Sequence, residues 1–128
     1  MDELGSWDAV ETAERIRSRE VSAKEVVEAA IVRAEASAHL GAVVSTTFDR
    51  AREQLARLDG APFSGVPSFI KDLARLEGVP ITWGSRGAGK YTAKRSDPSV
   101  RRIEALGFVT LGKSATPELG LTGTTEPV

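Results

Sequence analysis

Apolar residues recur at helical spacing along the first part of the chain. Ala9, Ala13 and Ile16 fall on one face, which predicts a helix from Ser6 to about Arg17. A second helix begins with the sequence Ser-Ala-Lys-Glu at residues 22–25. This sequence is a capping box, in which the serine hydroxyl accepts from the backbone amide of the glutamate and the glutamate side chain reaches back. The apolar face of this helix is predicted to comprise Val26, Val27, Ala30, Ile31 and Ala34.

β-branched residues then replace the helical pattern. Residues 42–48 follow a glycine and are predicted to form a strand. Asp49 is the predicted N-cap of a third helix, which we expect to end at residues 59–60, an Asp-Gly pair. Its inward-facing residues are predicted to be Ala51, Leu55 and Leu58. Residues 1–60 therefore read as a helical layer with one strand.

The second half of the chain, residues 61–128, begins with an apolar run. Val66 to Lys71 is predicted to be a strand that starts near Pro67, where a missing backbone donor is tolerated. Residues 74–96 are rich in Gly, Pro, Lys and Arg and show little periodicity, which predicts a long loop.

A helix and a further strand follow this loop. Asp97 and Pro98 have the residue types of an N-cap and a first helical position. The apolar face of this helix is predicted to comprise Val100, Ile103 and Leu106, with Gly107 at its end. Phe108 to Leu111 is a short buried strand by the same pattern. A strand, a crossover helix and a strand predict a right-handed parallel unit in an α/β fold.

Composition narrows the function classes. The chain has 128 residues, enough for one domain, and a formal net charge of −1, so a nucleic-acid partner is not expected. It has no cysteine and one histidine, which argues against a metal site; no cofactor is predicted. Met1 to Asp8 is acidic and does not resemble a signal peptide, and no apolar run approaches the ~18 residues of a membrane span. We therefore expect a cytoplasmic protein.

The candidate chemistry lies at Lys71, where the apolar strand ends. A lysine in this position is commonly a solvated strand end. Alternatively, Val66, Phe69 and Ile70 surround it with apolar groups, and burial favours the neutral amine. A neutral lysine can act as a general base or form a Schiff base, and the residues alone leave both open.

The segment Gly65–Asp72 resembles the lysine segment of the amidase signature family. Further segments resemble that family in the same order: Gly78-Val79-Pro80 leading to Trp83-Gly84-Ser85-Arg86, Asp97 before a helix, Leu111-Gly112-Lys113, and Pro117-Glu118-Leu119-Gly120 leading to Thr124-Thr125-Glu126. Because this ordered set spans the chain, the chain is identified as the N-terminal segment of a single amidase domain. The resemblance implies a mixed sheet flanked by helices, which is incomplete in this chain.

The resemblance also implies a reaction and its residues. The family hydrolyses amides with a Ser–cis-Ser–Lys triad, in which Lys71 would be the base and linear amides the substrates. Both serines of the family lie in or after a Gly/Ser-rich loop beyond the Thr-Glu segment, and this chain ends at Val128 without it. None of the serines at positions 64, 68, 85 and 114 lies in a glycine-rich elbow. The chain alone is therefore predicted to be inactive.

Three further hypotheses remain. Gly120, Leu121 and Thr122 would line the acyl pocket, as the matching family segment does, or form an ordinary loop. Gly84–Lys90 has the spacing of a phosphate-binding loop but is followed by Tyr91 instead of Ser or Thr, so nucleotide binding is disfavoured. Finally, the chain could be a non-catalytic truncated product or a partner-binding module, because an incomplete sheet exposes edges that promote self-association.

Overall fold

The computed structural model describes residues 3–89 and 91–125. Within these residues, the helices and strands follow one another in the order α1 (Ala9–Arg17), α2 (Ala23–Ala36), β1 (Val43–Thr46), α3 (Phe48–Leu55), β2 (Pro67–Lys71), β3 (Pro80–Ile81), β4 (Tyr91–Thr92), α4 (Pro98–Ala105) and β5 (Val109–Ser114). Short 3-10 turns occupy Glu3–Gly5, Ala38–Leu40, Arg86–Ala88 and Glu118–Gly120. Of the helices in this described part, none is both long and apolar enough to cross a bilayer.

The main sheet has three strands in the order β1-β5-β2. β5 is antiparallel to β1 and parallel to β2, which confirms both the mixed sheet and the predicted parallel pairing. The register along β2 places Ile70 opposite Lys113 and Lys71 opposite Ser114. β3 and β4 form a separate antiparallel pair. The α/β prediction is confirmed.

The sheet separates two hydrophobic clusters. On one side, Val27 and Ile31 of α2 and Ala51 of α3 pack with Val109 and Leu111 of β5. The other cluster contains Ile70 of β2 and Val100 of α4, together with Leu76 and Val79. Consecutive strand residues point to opposite faces, which explains why Phe69 packs on the first cluster and Ile70 belongs to the second.

The helix boundaries differ from the prediction at two starts. The first helix begins at Ala9 because the Asp8 side chain caps it by accepting from the Glu11 amide, and Ala9 itself is exposed. The third helix starts at Phe48 and not after Asp49, because Thr47 still bonds to β5: its amide donates to the Leu111 carbonyl. The capping box of α2 is confirmed, with both reciprocal hydrogen bonds present.

Two further residues predicted to face the core are exposed. α3 ends at Leu55, so Leu58 lies beyond it and is 36% exposed. Leu106, which follows the last helical residue of α4, is 42% exposed. In both cases the helix is shorter than the apolar pattern suggests, and the last apolar residue therefore leaves the buried face.

Residues 74–96 are not the featureless loop that was predicted. They contain β3 and β4, and Leu76, Val79, Ile81 and Ala93 are buried. The Gly78 amide donates to the Ala93 carbonyl, and the Ala93 amide donates to the Val79 carbonyl. Each strand has only two residues, which is too short to produce a detectable alternation.

The last strand is longer than predicted and contains a bulge. β5 continues past Leu111 to Ser114, opposite the full length of β2. Ser68 pairs with Thr110 and Phe69 with Gly112, so Leu111 is an extra residue on β5. Gly112 has φ +151° and lies so close to the Ser45 carbonyl that a Cβ would overlap it. Glycine allows β5 to remain paired with both neighbours beyond the bulge.

Candidate functional site

Lys71 lies at the carboxyl end of β2, directly opposite Ser114 of β5. The chain turns at once, since the Asp72 amide donates to the Ser114 carbonyl at 2.9 Å and the Ala74 amide donates to the Lys71 carbonyl at 3.0 Å. Its strand neighbour Ile70 is buried, but Lys71 is exposed in this chain. Of the two alternatives for Lys71, the described residues therefore fit the solvated strand end and not burial by the apolar neighbours.

The buried lysine is Lys113, on the adjacent strand. Its side chain has no exposed surface, and its Nζ donates to Oδ1 of Asp72 at 2.8 Å. Asp72 is itself only 1% exposed. The acid that follows Lys71 in sequence thus pairs with Lys113. In the sequence, Lys113 is distinguished only as part of a family-like segment, although an apolar run also precedes it at residues 108–111.

The second carboxylate oxygen of Asp72 binds Thr82. The Thr82 hydroxyl donates to Oδ2 of Asp72 at 2.6 Å, and the Thr82 amide donates to the same atom at 3.2 Å. The hydroxyl oxygen in turn accepts from the Gly84 amide at 3.1 Å. A buried carboxylate needs such partners because its loss of hydration is otherwise uncompensated. Asp72 thereby joins the end of β2, the central strand and the loop after β3.

This loop packs against the segment after β5. The Leu119 amide donates to the Trp83 carbonyl at 2.7 Å, and the Ser85 hydroxyl donates to Oε1 of Glu118 at 2.6 Å. Gly84 has φ +68°, and a Cβ there would overlap the carbonyl oxygen of Thr116. Only a glycine permits this close approach of the two backbones.

The three substrate-side candidates have different surroundings. Gly120 has φ +71° and lies against Leu73, two residues after Lys71; a Cβ at Gly120 would be 2.8 Å from Cδ1 of that leucine. Leu121 is 78% exposed, and the exposed Thr122 donates from its hydroxyl to the Thr124 carbonyl. The fold thus brings Gly120 near the end of the lysine strand and leaves Leu121 and Thr122 on the surface. Glu126, the end of the family-like segment, lies outside the described residues.

A cleft of about 450 Å³ opens beside this region; it is lined by Leu73, Arg75, Trp83, Tyr91 and Asp97. Arg75 binds Asp97 through its backbone amide at 2.8 Å and through a guanidinium nitrogen, Nη2, at 2.7 Å. These two contacts, the amide first, lower the pKa of Asp97. Asp97 occupies the N-cap position of α4 as predicted, but its side chain caps no helix amide and holds Arg75 instead.

The glycine-rich stretch 84–89 does not have the context of a phosphate-binding loop. Arg86–Ala88 is a single 3-10 turn, and strand β4 begins at Tyr91 where a helix would be required. Lys90 lies outside the described residues. Within residues 3–89 and 91–125, no group of three or more His, Asp or Glu side chains is arranged to hold a metal ion.

A family model described as Amidase matches residues 25–128. Among similar proteins, the 6-aminohexanoate-cyclic-dimer hydrolase of Paenarthrobacter ureafaciens is 39% identical over 132 residues, which cover 99% of this chain. The putative amidase AmiC of Mycobacterium tuberculosis is 41% identical over 128 residues, or 98% of this chain. Both alignments cover 27% of the relative, so this chain spans about a quarter of their length.

Solved structures agree with this similarity. A structure of 6-aminohexanoate cyclic dimer hydrolase matches 99% of this chain with a TM-score of 0.89 and 37% identity. A bacterial aryl acylamidase of the amidase signature family matches 94% with a TM-score of 0.82 and 31% identity. Each match covers 27% of the solved chain.

Proposed function

The chain belongs to the amidase family, as its lysine segment implied, and we propose that it is the N-terminal portion of an enzyme that hydrolyses a carboxamide C–N bond. Residues 1–128 would form one segment of a single domain. Lys71 would be its catalytic residue. The observation that carries this role is the position of Lys71, exposed at the carboxyl end of a parallel strand whose neighbouring loops are held in a fixed arrangement. Active sites of α/β sheets are commonly built at this edge.

In the proposed reaction, Lys71 is a general base. Its neutral amine would accept the proton of a bridging serine, which in turn deprotonates the serine that attacks the amide carbonyl. The proton then returns to the departing amine. Lys71 has no ion pair or side-chain hydrogen bond among the described residues, so its amine is available to a partner outside them. Cover by the remainder of the domain would exclude water and favour the neutral amine.

The 128-residue chain by itself is proposed to be inactive, because neither serine of the family's triad nor the oxyanion donors have a match in its sequence. The substrate would be a small amide. The finer restriction to linear amides remains a prediction, since one similar protein is named for a cyclic dimer. The alternative of a partner-binding module is supported by the two outer strands of the sheet, β1 and β2, each of which pairs on one side only among the described residues.

Lys71→Ala tests the proposed function. Residues 1–128 would replace the matching first quarter of the Paenarthrobacter ureafaciens hydrolase, and kcat/KM would be measured on that enzyme's cyclic dimer. We expect Lys71→Ala to lower kcat/KM by about 10²–10⁴-fold, the usual contribution of a general base. Lys24→Ala, which removes an exposed lysine from α2, is the matched control and should leave turnover near that of the unmodified chimera.

Circular dichroism and size-exclusion chromatography would verify that each chimera is folded. Unchanged turnover in a folded Lys71→Ala chimera would remove Lys71 from the catalytic machinery. Turnover by residues 1–128 alone would contradict the predicted inactivity of the isolated chain.

A further inference from the structure

Three segments that are distant in sequence meet at the carboxylate of Asp72. Oδ1 accepts from Lys113 on β5, and Oδ2 accepts from both the hydroxyl and the amide of Thr82. Asp72 immediately follows Lys71, so these bonds fix the backbone where the candidate base leaves its strand. Both members of the ion pair are at most 1% exposed. Water therefore does not compete for these hydrogen bonds, which makes their geometry strict.

The chain of contacts continues from Thr82 to the candidate substrate side. The Thr82 hydroxyl accepts from the Gly84 amide, and the adjacent Trp83 carbonyl accepts from the Leu119 amide. Trp83 and Leu119 both have positive φ, at 51° and 52°. Non-glycine residues adopt this conformation only when their surroundings hold them there. The two loops thus maintain each other in an arrangement that neither would prefer alone.

On the basis of the proposed function, we propose that Asp72, Thr82 and Lys113 are positioning residues for the amidase reaction. They hold the end of the Lys71 strand in place. Through the loop at 82–85, they also fix the position of the segment at 116–120 relative to that strand end. The base and the substrate-side segment thereby keep the spacing that proton transfer needs, because small displacements of reacting groups carry a large cost in rate.

The energetics favour this role over simple stabilisation. A buried ion pair contributes little net stability, since the loss of hydration offsets most of its attraction. The ion pair instead raises the free energy of any conformation in which Asp72 and Lys113 separate, because a buried charge is then left without its partner. Arg75 and Asp97 form a second ion pair, in which Arg75 is the main cause of the lowered pKa of Asp97 and Lys113 a smaller one.

A matched pair of substitutions at Thr82 tests the proposal in the 128-residue chain. Thr82→Val keeps the β-branched shape and the backbone amide but removes the hydroxyl, whereas Thr82→Ser keeps the hydroxyl. We expect Thr82→Val to accelerate amide hydrogen exchange by about tenfold at Gly84, whose acceptor is the deleted hydroxyl, and at Leu119, because the bond that holds the loop to the Asp72 carboxylate is lost. Thr82→Ser should stay within about twofold of the unsubstituted chain.

The amide of Ile31 in α2 is the reference for the exchange measurement, because Ile31 belongs to the hydrophobic cluster on the opposite side of the sheet from Ile70. It distinguishes a local effect at Thr82 from a general loss of stability. Faster exchange at Leu119 with unchanged exchange at Ile31 supports the proposal. Equal acceleration at Ile31 and Leu119, no acceleration at Leu119, or a Thr82→Ser chain as fast as the Thr82→Val chain overturns it.

Turnover supplies the second measurement. In the chimera, Thr82→Val should reduce kcat by about tenfold with a smaller change in KM. The Thr82→Ser chimera should have a kcat close to that of the unsubstituted chimera. A purely structural role would lower the melting temperature of the Thr82→Val chimera without changing kcat of the folded enzyme, and that result overturns the proposal. Failure of the proposed function is distinguishable, since it appears as unchanged turnover in Lys71→Ala and leaves the exchange measurement intact.

Discussion

Lys71 is the last residue of β2 and Lys113 the next-to-last residue of the adjacent parallel strand β5, yet Lys71 is exposed and Lys113 is fully buried. The difference comes first from the face of the sheet on which each side chain lies. Lys113 is in register with buried Ile70 and shares its face, whereas Lys71, one residue after Ile70, lies on the opposite face. In addition, β5 lies between two strands and β2 is an outer strand. Burial of the Lys113 charge is then possible only because Asp72 is within 2.8 Å.

Lys113→Met tests this dependence. The substitution keeps an unbranched apolar stem, one atom shorter than lysine, but removes the charge and leaves the Asp72 carboxylate buried with its Thr82 bonds alone. We expect the free energy of unfolding to fall by about 3–5 kcal/mol, as when one partner of a buried ion pair is removed. The double variant Asp72→Asn with Lys113→Met removes both charges and should recover part of this loss. Urea denaturation followed by circular dichroism measures both, and a double variant no more stable than the single one would contradict the explanation.

The sequence allowed some of these residues to be placed and not others. The capping box at Ser22 and the position of Lys71 at a strand end were predictable because they depend on local spacing. The burial of Lys113 was not, because the apolar run before it resembles the run before Lys71. The order and the register of the strands distinguish the two lysines, and both are set by contacts between distant segments.

At the scale of elements, α4 shows how one side chain can serve a different partner from the expected one. Asp97 lies at the N-cap, but its carboxylate accepts from Arg75, so the turn at 75 and the start of α4 are joined. The pKa of Asp97 is lowered from its ordinary value of 3.8, by the Arg75 amide first and then by the guanidinium. A carboxylate of this kind stabilises the fold above its unfolded pKa and loses that contribution as pH falls through the lower, folded pKa.

Asp97→Asn should therefore reduce stability in a pH-dependent way. We expect the difference in unfolding free energy between the unsubstituted chain and this variant to be largest near neutral pH. It should shrink as the pH falls from about 3.8, where the unfolded chain takes up the proton, through the lower pKa of the folded chain. Urea unfolding at a series of pH values measures the difference, and Glu35→Gln, at an exposed position of α2, is the control. A difference that stays constant with pH would show that the charge of Asp97 is not responsible.

Elements with several turns or alternations were predictable, and short ones were not. α2 has 14 residues and a capping box, so its pattern and its start were both evident. β3 and β4 have two residues each and depend on backbone bonds between residues 78–79 and residue 93. The bulge at Leu111 also depends on pairing with two other strands, which local propensity does not encode.

At the scale of the whole molecule, the sheet has two outer strands with unpaired edges in the described residues. Several large apolar side chains are also exposed: Val10, Val32, Leu40, Val44 and Leu121. Unprotected edges pair readily with other chains, and exposed apolar groups favour association.

We accordingly expect the 128-residue chain to self-associate as its concentration rises. Val44→Lys places a charge on the outer strand β1 and should weaken this association. Val10→Lys adds the same charge at an exposed position of α1, which is not a strand of the sheet, and should weaken it less. Size-exclusion chromatography with light scattering over a range of concentrations measures the mass of the species formed by the unsubstituted chain and by each variant. A monomer at all concentrations would contradict the expectation.

The strand order also dictates when the sheet can form during synthesis of the chain. β5 is the last of the three strands in sequence but lies between the other two, and β1 and β2 do not pair with each other. Neither early strand can complete its ladder until residues 109–114 have left the ribosome. Until then α2 and α3 lack Val109 and Leu111, the strand residues of their cluster. During synthesis, helices α1 to α3 and Lys71 are therefore made well before β5, the strand that orders them.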